Sequence, residues 1–446
     1  MFKSAQSYID KCLLKLYNAV LSSGHYPSRW SESFLVPIFK YENPKLPQNY
    51  RGIAVATCLG RIFNSILNTR LDKYLAENNV IHESQIGFSK KSRTSDHLFV
   101  LKCLVDKYIN SGGKQLFVCF VDFRKAFDTV FVSGIRLKLL RNNINGYFYR
   151  ILGNMHGNNY MSVKLDNKLT GPFKSQLGVK QGDVLNPNIF KIFLNDFGTL
   201  IDKSEIGAKL SHNTIGCLSY ADDLVLISDS KQGLQKQLDI LDTYCKDWCL
   251  TVSINKTKKN IFNKTGRLIK DNFILDGQEI ECITRYKYLG IIISASGKFG
   301  EARTILYNKV LKGSFKLMKD LSGLNPSIHT IVHLFDHTIT PIALYGSEIW
   351  GILNMSEKQK KSEIYDILYK DWECEKLNIK FCKYILGVNK KTTNLAVLAE
   401  LGKFIIYKSI VISICMYWHR VQNKPSNLMK AAYEKCKNMH DDHLVS

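Results

Sequence analysis

Residues 219–228 read Ser219-Tyr220-Ala221-Asp222-Asp223-Leu224-Val225-Leu226-Ile227-Ser228, two adjacent carboxylates between a Tyr-Ala pair and a run of β-favouring residues. Ile215-Gly216-Cys217-Leu218-Ser219 stands ahead of them, also short and partly apolar. Two such runs around a small polar centre predict a β-hairpin whose turn carries Asp222 and Asp223. Successive strand residues face opposite ways, yet turn geometry can aim both carboxylates into one cleft. Taken alone, Asp-Asp is also the ordinary composition of a turn. The rest of the chain decides between the two readings.

A third carboxylate lies upstream. Leu116-Phe117-Val118-Cys119-Phe120-Val121 is a continuous apolar run, the pattern of a strand buried on both faces, and it ends in Asp122. A carboxylate at the end of a buried strand is costly unless it holds a metal or finds partners. Between the two lies Leu177-Gly178-Val179-Lys180-Gln181-Gly182-Asp183-Val184-Leu185-Asn186-Pro187, a turn-rich loop that feeds a helix at 189–197. A centre that joins nucleotides needs two Mg²⁺ about 3.5–4 Å apart. Mg²⁺ takes hard oxygen ligands and keeps several waters, so two or three carboxylates from separate elements suffice. Asp122 and Asp222 converge if their strands are neighbours, with Asp223 as a ligand or a nearby balancing charge.

The chain of 446 residues carries a net charge of +23 with 45% hydrophobic residues, enough for a folded protein of two or three domains. That charge far exceeds the ~2–8 that solubility asks of a small domain, and implies a polyanionic partner, nucleic acid before membrane. The twelve cysteines are scattered through apolar runs without a CxxC pair, which favours reduced thiols over a disulfide framework or zinc site. Neither a signal peptide nor an apolar run of ~20 residues is present, so an intracellular protein off the membrane is expected, in nucleus or cytoplasm.

Periodicity places an amphipathic helix at 9–21, a proline-containing edge strand at Phe34–Lys40 and a helix with Ile62, Phe63, Ile66, Leu67, Leu71 and Leu75 on one face. It places a helix from Ser95, another at 135–152, a hairpin at 162–173, a helix at 232–249 and a strand at Tyr286–Ile293. From about 300 onward the pattern is helical, broken at Pro341 and Trp350-Gly351, with the last fifteen or so residues frayed. Gln85–Thr94 reads as a cation-bearing loop suited to phosphate contact.

Asp122–Asp128 (DFRKAFD), Gly178–Pro187 (GVKQGDVLNP) and Tyr220–Asp223 (YADD) resemble the motifs of reverse transcriptases, most of all those of non-LTR, LINE-type retrotransposons of the jockey-like group. Asn49–Ile53, Gln85–Phe88, Lys256–Lys258 and Tyr288–Gly290 follow in the family's order, so the resemblance covers about residues 30–295. Phe381–Val388 and Ala399–Gly402 resemble the segment that follows the polymerase in such elements. The resemblance implies an α+β right-hand fold: an N-terminal helical extension over 1–29, fingers and palm over 30–295, and a helical thumb and C-terminal region over 296–446.

It implies an RNA-directed DNA polymerase that uses an RNA template, a DNA primer, dNTPs and two Mg²⁺, with Mn²⁺ as a substitute. Asp122, Asp222 and Asp223 match the metal-binding catalytic carboxylates. Phe127 matches the steric gate, Gln181 and Gly182 the nucleotide and template-base pocket, and Arg51 and Lys40 the cations on the triphosphate. Lys256 or Lys258 matches the group that protonates pyrophosphate, and Tyr288, Leu289 and Gly290 the primer grip. Ser253 stands where the family has Asn, Asn186 where it often has Ser, and Ser89-Lys90-Lys91-Ser92 replaces an Arg-Gly-Arg pattern. No endonuclease precedes and no zinc knuckle follows, so a truncated element served by a separate endonuclease is expected. The alternative is a domesticated relic that grips RNA without polymerising; nothing in the sequence fixes an oligomeric state.

Overall fold

The computed structural model describes residues 7–441, apart from 41–42, 91, 111–112, 167, 352–371 and 425. Two five-stranded sheets carry the N-terminal two thirds. In the first, β1 (Ser33–Phe39) pairs antiparallel with β2 (Tyr50–Ala56) and, over Ser33–Leu35, parallel with β4 (Tyr160–Leu165); β5 (Lys168–Leu169) and β6 (Phe173–Lys174) pair with β4. In the second, the order is β14-β11-β3-β10-β9, with β3 at Leu116–Val121, β9 at Cys217–Tyr220, β10 at Asp223–Ser228, β11 at Lys258–Phe262 and β14 at Glu281–Cys282. Three small hairpins flank them: β7–β8 (Ala208–Leu210, Asn213–Ile215), β12–β13 (Ile274–Leu275, Gln278–Glu279) and β15–β16 (Arg285–Tyr288, Ile291–Ser294).

Helices α1 (Ser7–Ser23), α2 (Ser28–Ser31), α3 (Cys58–Glu77) and α4 (Thr94–Asn110) precede β3. Next come α5 (Ala126–Thr129), α6 (Val132–Arg141), α7 (Gly146–Gly157), α8 (Asn186–Lys203) and α9 (Lys231–Asp247). Then α10 (Gly300–Leu321), α11 (Ile328–Thr338), α12 (Thr340–Leu344) and α13 (Ser347–Trp350) open a helical region that continues with helices Glu373–Ile385, Asn394–Glu400, Ile406–Gln422 and Asn427–Asp441.

The β3 run is apolar at each position because both faces of its sheet are covered, and the alternation of strand side chains sorts it into two cores. Phe117, Cys119 and Val121 join Leu224 and Leu226 of β10 under α8 and α9. Leu116, Val118 and Phe120 join Val225 and Ile227 under α4, the β15–β16 hairpin and the C-terminal helices, including Phe335, Ile410 and Tyr417. Phe120 stacks on Tyr286 with ring centroids 4.0 Å apart and leans on Tyr288 at 5.5 Å. A buried ion cluster reinforces that second junction. Burial opposes the charge on Asp96, yet the Arg420 and Lys424 cations paired with it hold its carboxyl below the usual range.

Several elements differ from their sequence reading. β1 lies inside its sheet, not at the edge: Ser33–Leu35 has neighbours on both sides, and Pro37, which cannot donate, sits beyond the reach of β4 where only β2 pairs. The helix expected over 135–152 is two, because Asn143 and Gly146 adopt left-handed backbone between α6 and α7 while Ile144 turns into the core. The strand expected over 286–293 is a hairpin whose turn, Leu289-Gly290, has positive φ at both residues. In α3 the buried stripe is Phe63, Leu67, Leu71 and Leu75, with Ile66 exposed. Of the last fifteen or so residues, expected to fray, those up to Asp441 continue a helix with Ala432 buried, and 442–446 lie outside the described residues. Among the described residues no helix is long and apolar enough to cross a membrane.

Phe120 is fully buried between the sheet and the C-terminal helices. Phe120→Ala is therefore expected to cost about 3–5 kcal/mol in urea unfolding.

Candidate active site

β3 and β10 are antiparallel neighbours, with Val121 opposite Leu224. Continuing that register by one residue sets Asp122 beside Asp223. β9 and β10 are joined by the two-residue loop Ala221-Asp222, since Tyr220 pairs with Asp223. The turn thus carries Asp222 alone, and Asp223 is the first residue of β10, a correction to the expected placement of both in the turn.

Ala221 has φ +57°, a left-handed conformation that costs an L-residue about 1–2 kcal/mol. Gln85 offsets that cost. Its Nε2 donates to the Ala221 carbonyl at 3.1 Å, and its Oε1 accepts from the Ala221 amide at 2.9 Å and from the Gly87 amide at 3.1 Å. The segment lies along β9: the Ile86 amide donates to the Ser219 carbonyl at 3.0 Å, and the Ser219 amide to the Ser84 carbonyl at 2.8 Å. A Cβ on residue 87 would fall 2.2 Å from the Ala221 nitrogen, so only glycine fits there. Gln85-Ile86-Gly87, the start of the cation-bearing loop Gln85–Thr94, is a brace for the carboxylate turn. Its side-chain amide was visible in the sequence, but its target lies 136 residues away.

Asp122 is fastened by its backbone. Its amide donates to Thr257 Oγ1 at 3.1 Å and its carbonyl accepts from the Ser253 amide at 2.7 Å. Position 253, where Ser replaces the family's Asn, therefore holds the site through its main chain. Lys256, between these anchors, faces the carboxylate cluster; Lys258, its rival for the same role, pairs with Glu281 instead.

Burial is the first cause that raises the carboxyl pKa of each aspartate. For Asp122 the nearby Asp222 adds to it, against Lys256 and Lys40. For Asp222 its own amide, Arg51 and Lys40 oppose it. Asp223 is pushed furthest, from its ordinary 3.8 to about 6, because both other carboxylates add to desolvation. Lys40 is pulled down by burial and then by Arg51 and Lys256, while Asp128 and Asp122 draw it up. Lys40, Arg51 and Lys256 are thus the cations whose charge is felt at the aspartates, and on α5 the burial of Asp128 is offset in part by Lys125, Lys40 and Arg51.

Phe127 lies over Phe190 at 4.3 Å and 21° and meets the edge of Phe88 at 6.3 Å. The loop behind it is bound to it, the Val179 amide donating to the Phe127 carbonyl at 2.7 Å. The Gln181 carbonyl accepts from the Ala54 amide of β2 at 2.7 Å, and a Cβ on Gly182 would sit 2.9 Å from the Ala54 oxygen. Gln181-Gly182 is thereby docked on the strand that carries Arg51. Tyr288 is a correction: its ring, expected to hold a primer, is 2% exposed in the second core near His97. The adjoining Leu289-Gly290 turn is half-exposed and held by Tyr345, whose phenol donates to the Leu289 carbonyl at 2.8 Å. Tyr286, not singled out from sequence, is the half-buried ring of the pair; burial and then Asp223 and Asp122 push its phenol up to about 12.

Among the described residues, none of the three aspartates pairs with a cation at contact distance or accepts a side-chain hydrogen bond. No three ligating side chains there enclose an ion by themselves. Free hard-oxygen donors on an open face fit Mg²⁺, whose shell is completed by water and substrate phosphates. The geometry defines a carboxylate pair and partner on adjacent antiparallel strands facing cations, a site class suited to metal-assisted phosphoryl transfer.

The sequence model of the reverse transcriptase (RNA-dependent DNA polymerase) family matches residues 41–293, and the chain belongs to that family. The α+β right-hand polymerase fold with helices after it, expected from the motifs, is that of the family. The chain is 26% identical over 359 residues to the probable RNA-directed DNA polymerase from transposon BS of Drosophila melanogaster, covering 76% of this chain and 38% of that protein. It is 24% identical over 362 residues to the RNA-directed DNA polymerase from mobile element jockey of the same species, covering 78% and 38%. The chain thus spans about two fifths of the length of these curated relatives. Among solved structures, apo telomerase from Candida tropicalis aligns over 96% of this chain and 74% of that one at 11% identity, with a TM-score of 0.44.

Without metal, Asp223→Asn is expected to stabilise the protein. An acid whose folded pKa lies above its unfolded value loses stability as it ionises, so the cost is absent below 3.8 and complete above about 6. Discounted for the solvent exposure of Asp223, the gain is about 1 kcal/mol at pH 7.5 in EDTA, and thermal melts at pH 3.5 remove it.

Proposed function

We propose that the chain is the polymerising part of a non-LTR retrotransposon protein, an RNA-directed DNA polymerase that extends a primer 3′-hydroxyl with deoxynucleotides on an RNA template. The observation that carries this reading is the meeting of Asp122, Asp222 and Asp223 from neighbouring strands opposite Lys40, Arg51 and Lys256. In this reading residues 30–295 supply fingers and palm, 296–446 the thumb and C-terminal region, and 1–29 an N-terminal extension. Work inside the cell, in nucleus or cytoplasm, and a separate endonuclease for strand cutting belong to the same proposal.

Two bound Mg²⁺ (or Mn²⁺) would neutralise the charge that develops between the attacking oxygen and the leaving phosphate. Asp122 and Asp222 would hold the ions, Asp222 because its turn is clamped by Gln85, and Asp223 would ligate or balance charge from the strand end. The primer hydroxyl gives up its proton to solvent water as its oxygen forms a bond to the α-phosphorus, the bond to the β-phosphate oxygen breaks, and pyrophosphate leaves. Arg51 and Lys40 grip the triphosphate, for which the Arg fork is suited. Lys256 is the cation placed to give pyrophosphate its proton. Phe127, stiffened by Phe190 and Phe88, presents a ring edge that a ribose 2′-hydroxyl would strike. Gln181 and Gly182 line the nucleotide pocket, and the primer end rests on the Leu289-Gly290 backbone.

Asp222→Ala is expected to lower primer extension on poly(rA)/oligo(dT) about a thousand-fold or more, with template binding nearly intact. Wild-type extension by the variant would end the assignment; wild-type protein that grips RNA and incorporates nothing is the relic instead. Phe127→Val is expected to raise rNTP use relative to dNTP about 10- to 100-fold, read by product length in mixed-nucleotide assays.

A further inference from the structure

At the far end of the β3–β10 sheet from the aspartates lies a cavity of about 650 Å³, lined by Lys107, Tyr108, Lys114, Phe117, Lys209 and Asp229 among others. Five strand steps along β3 separate Phe117 from Asp122, and six separate Asp223 from Asp229. The cavity is therefore roughly 16–20 Å from the carboxylate cluster. The cations around it come from separate segments: Lys107 from the last turn of α4, Lys114 from the approach to β3, and Lys209 from β7. Lys435, on the helix Asn427–Asp441, adds its field.

This concentration is built. The Lys107 ammonium donates to the Lys209 carbonyl at 2.6 Å, which locks α4 to β7. The Tyr108 hydroxyl accepts from the Lys209 amide at 3.0 Å and donates to Asp229 at 3.5 Å, so the lone lining carboxylate is already shared. Among the described residues, the Lys114, Lys209 and Lys435 ammonium groups have no ion pair. Burial first, then Lys435, Lys114 and Lys209, pull the Lys107 pKa down, with Asp229, just past the end of β10, drawing the other way. Four cations against one carboxylate leave a locally uncompensated positive concavity. The rings that line it, Tyr108 and Phe117, are buried and no lining arginine offers a fork, so Gln115 is the one uncharged polar side chain beside the lysines and charge dominates the cavity. Lysine point charges suit sequence-independent contact with phosphates.

We propose that this cavity is a second nucleic-acid contact, holding backbone phosphates of a single RNA strand outside the carboxylate cleft. The site stands on charge and shape and does not require the chain to polymerise; only the choice of RNA over DNA rests on the family reading.

The test uses the whole chain and a 5′-fluorescein-labelled U20 RNA, with anisotropy measured from 50 to 400 mM KCl and neither primer nor dNTP present. Lys107→Gln/Lys114→Gln/Lys209→Gln is expected to reduce the slope of log K against log salt by about 2 and to weaken binding about 10- to 100-fold at 100 mM. Extension of a short pre-annealed primer–template at low salt stays at the wild-type rate. Lys40→Gln/Lys256→Gln, in the cleft, lowers the slope independently and additively. Since Lys107 ties two elements together, the single charge reversal Lys114→Glu, at an exposed side chain, gives the same direction of change without a fold-wide risk. Unchanged affinity and slope in both the triple variant and Lys114→Glu overturn the proposal. So does loss of binding to phosphatidylserine vesicles with RNA binding unaltered, which would make the surface a membrane contact.

Discussion

Ala221 is held in a left-handed conformation by the side chain of Gln85, and the placement of the carboxylates follows from that constraint. A two-residue loop gives Asp222 its exposure in the cleft while the pairing of Tyr220 with Asp223 fixes the start of β10. A longer or looser turn would slip the register, and a one-residue slip turns a strand's side chains to the opposite face. The clamp is itself secured, because the loop that bears Gln85 is laced to β9 and anchored by the His82 amide on Asn195 Oδ1 of α8 at 2.7 Å. Three hydrogen bonds from one amide side chain, each worth roughly 1 kcal/mol net, are enough to offset the strain at Ala221.

The same sheet that positions the carboxylates divides the protein's interior. Residues of one parity on β3 and β10 belong to the core under α8 and α9, and residues of the other parity to the core shared with the helices beyond Gly300. The C-terminal helices are thus not a separate body attached by a linker. Their seat on the sheet is reinforced by Asp96, which is buried and would be untenable without Arg420 and Lys424. Charge follows the sheet as well. Acids cluster at one end, faced by Lys40, Arg51 and Lys256, and uncompensated lysines gather at the other.

Much of this was legible in the chain. An uninterrupted apolar run ending in Asp122 has the pattern of a doubly covered strand, and its burial at each position bears that out. The ordered motifs gave the family and with it the fold. What escaped was set by partners distant in sequence. Nothing local marks Gln85 as a clamp, since its target is the backbone of Ala221. Tyr288 and Tyr286 share a face of one short strand, and tertiary packing alone decides that Tyr288 is enclosed while Tyr286 lies near Asp122 and Asp223. The Leu289-Gly290 turn was masked by apolar residues on both sides, because leucine is an unusual occupant of a positive-φ position. Asn142–Gly146 was readable as a helix stop by its Asn and Gly content, but the apolar spacing across it continued the helical period.

The central claim is that a clamped turn and an adjacent strand end make one divalent-metal site from Asp122, Asp222 and Asp223. The most direct measurement is an electron paramagnetic resonance titration of Mn²⁺ into the metal-free chain, in which the hexaaqua signal disappears as ions bind. Wild-type protein is expected to take up Mn²⁺ at a saturable site, Asp222→Asn to bind about 10-fold more weakly or worse, and Gln85→Ala to fall between the two. Equal uptake by wild type and Asp222→Asn would contradict the assignment of this cluster as the metal site.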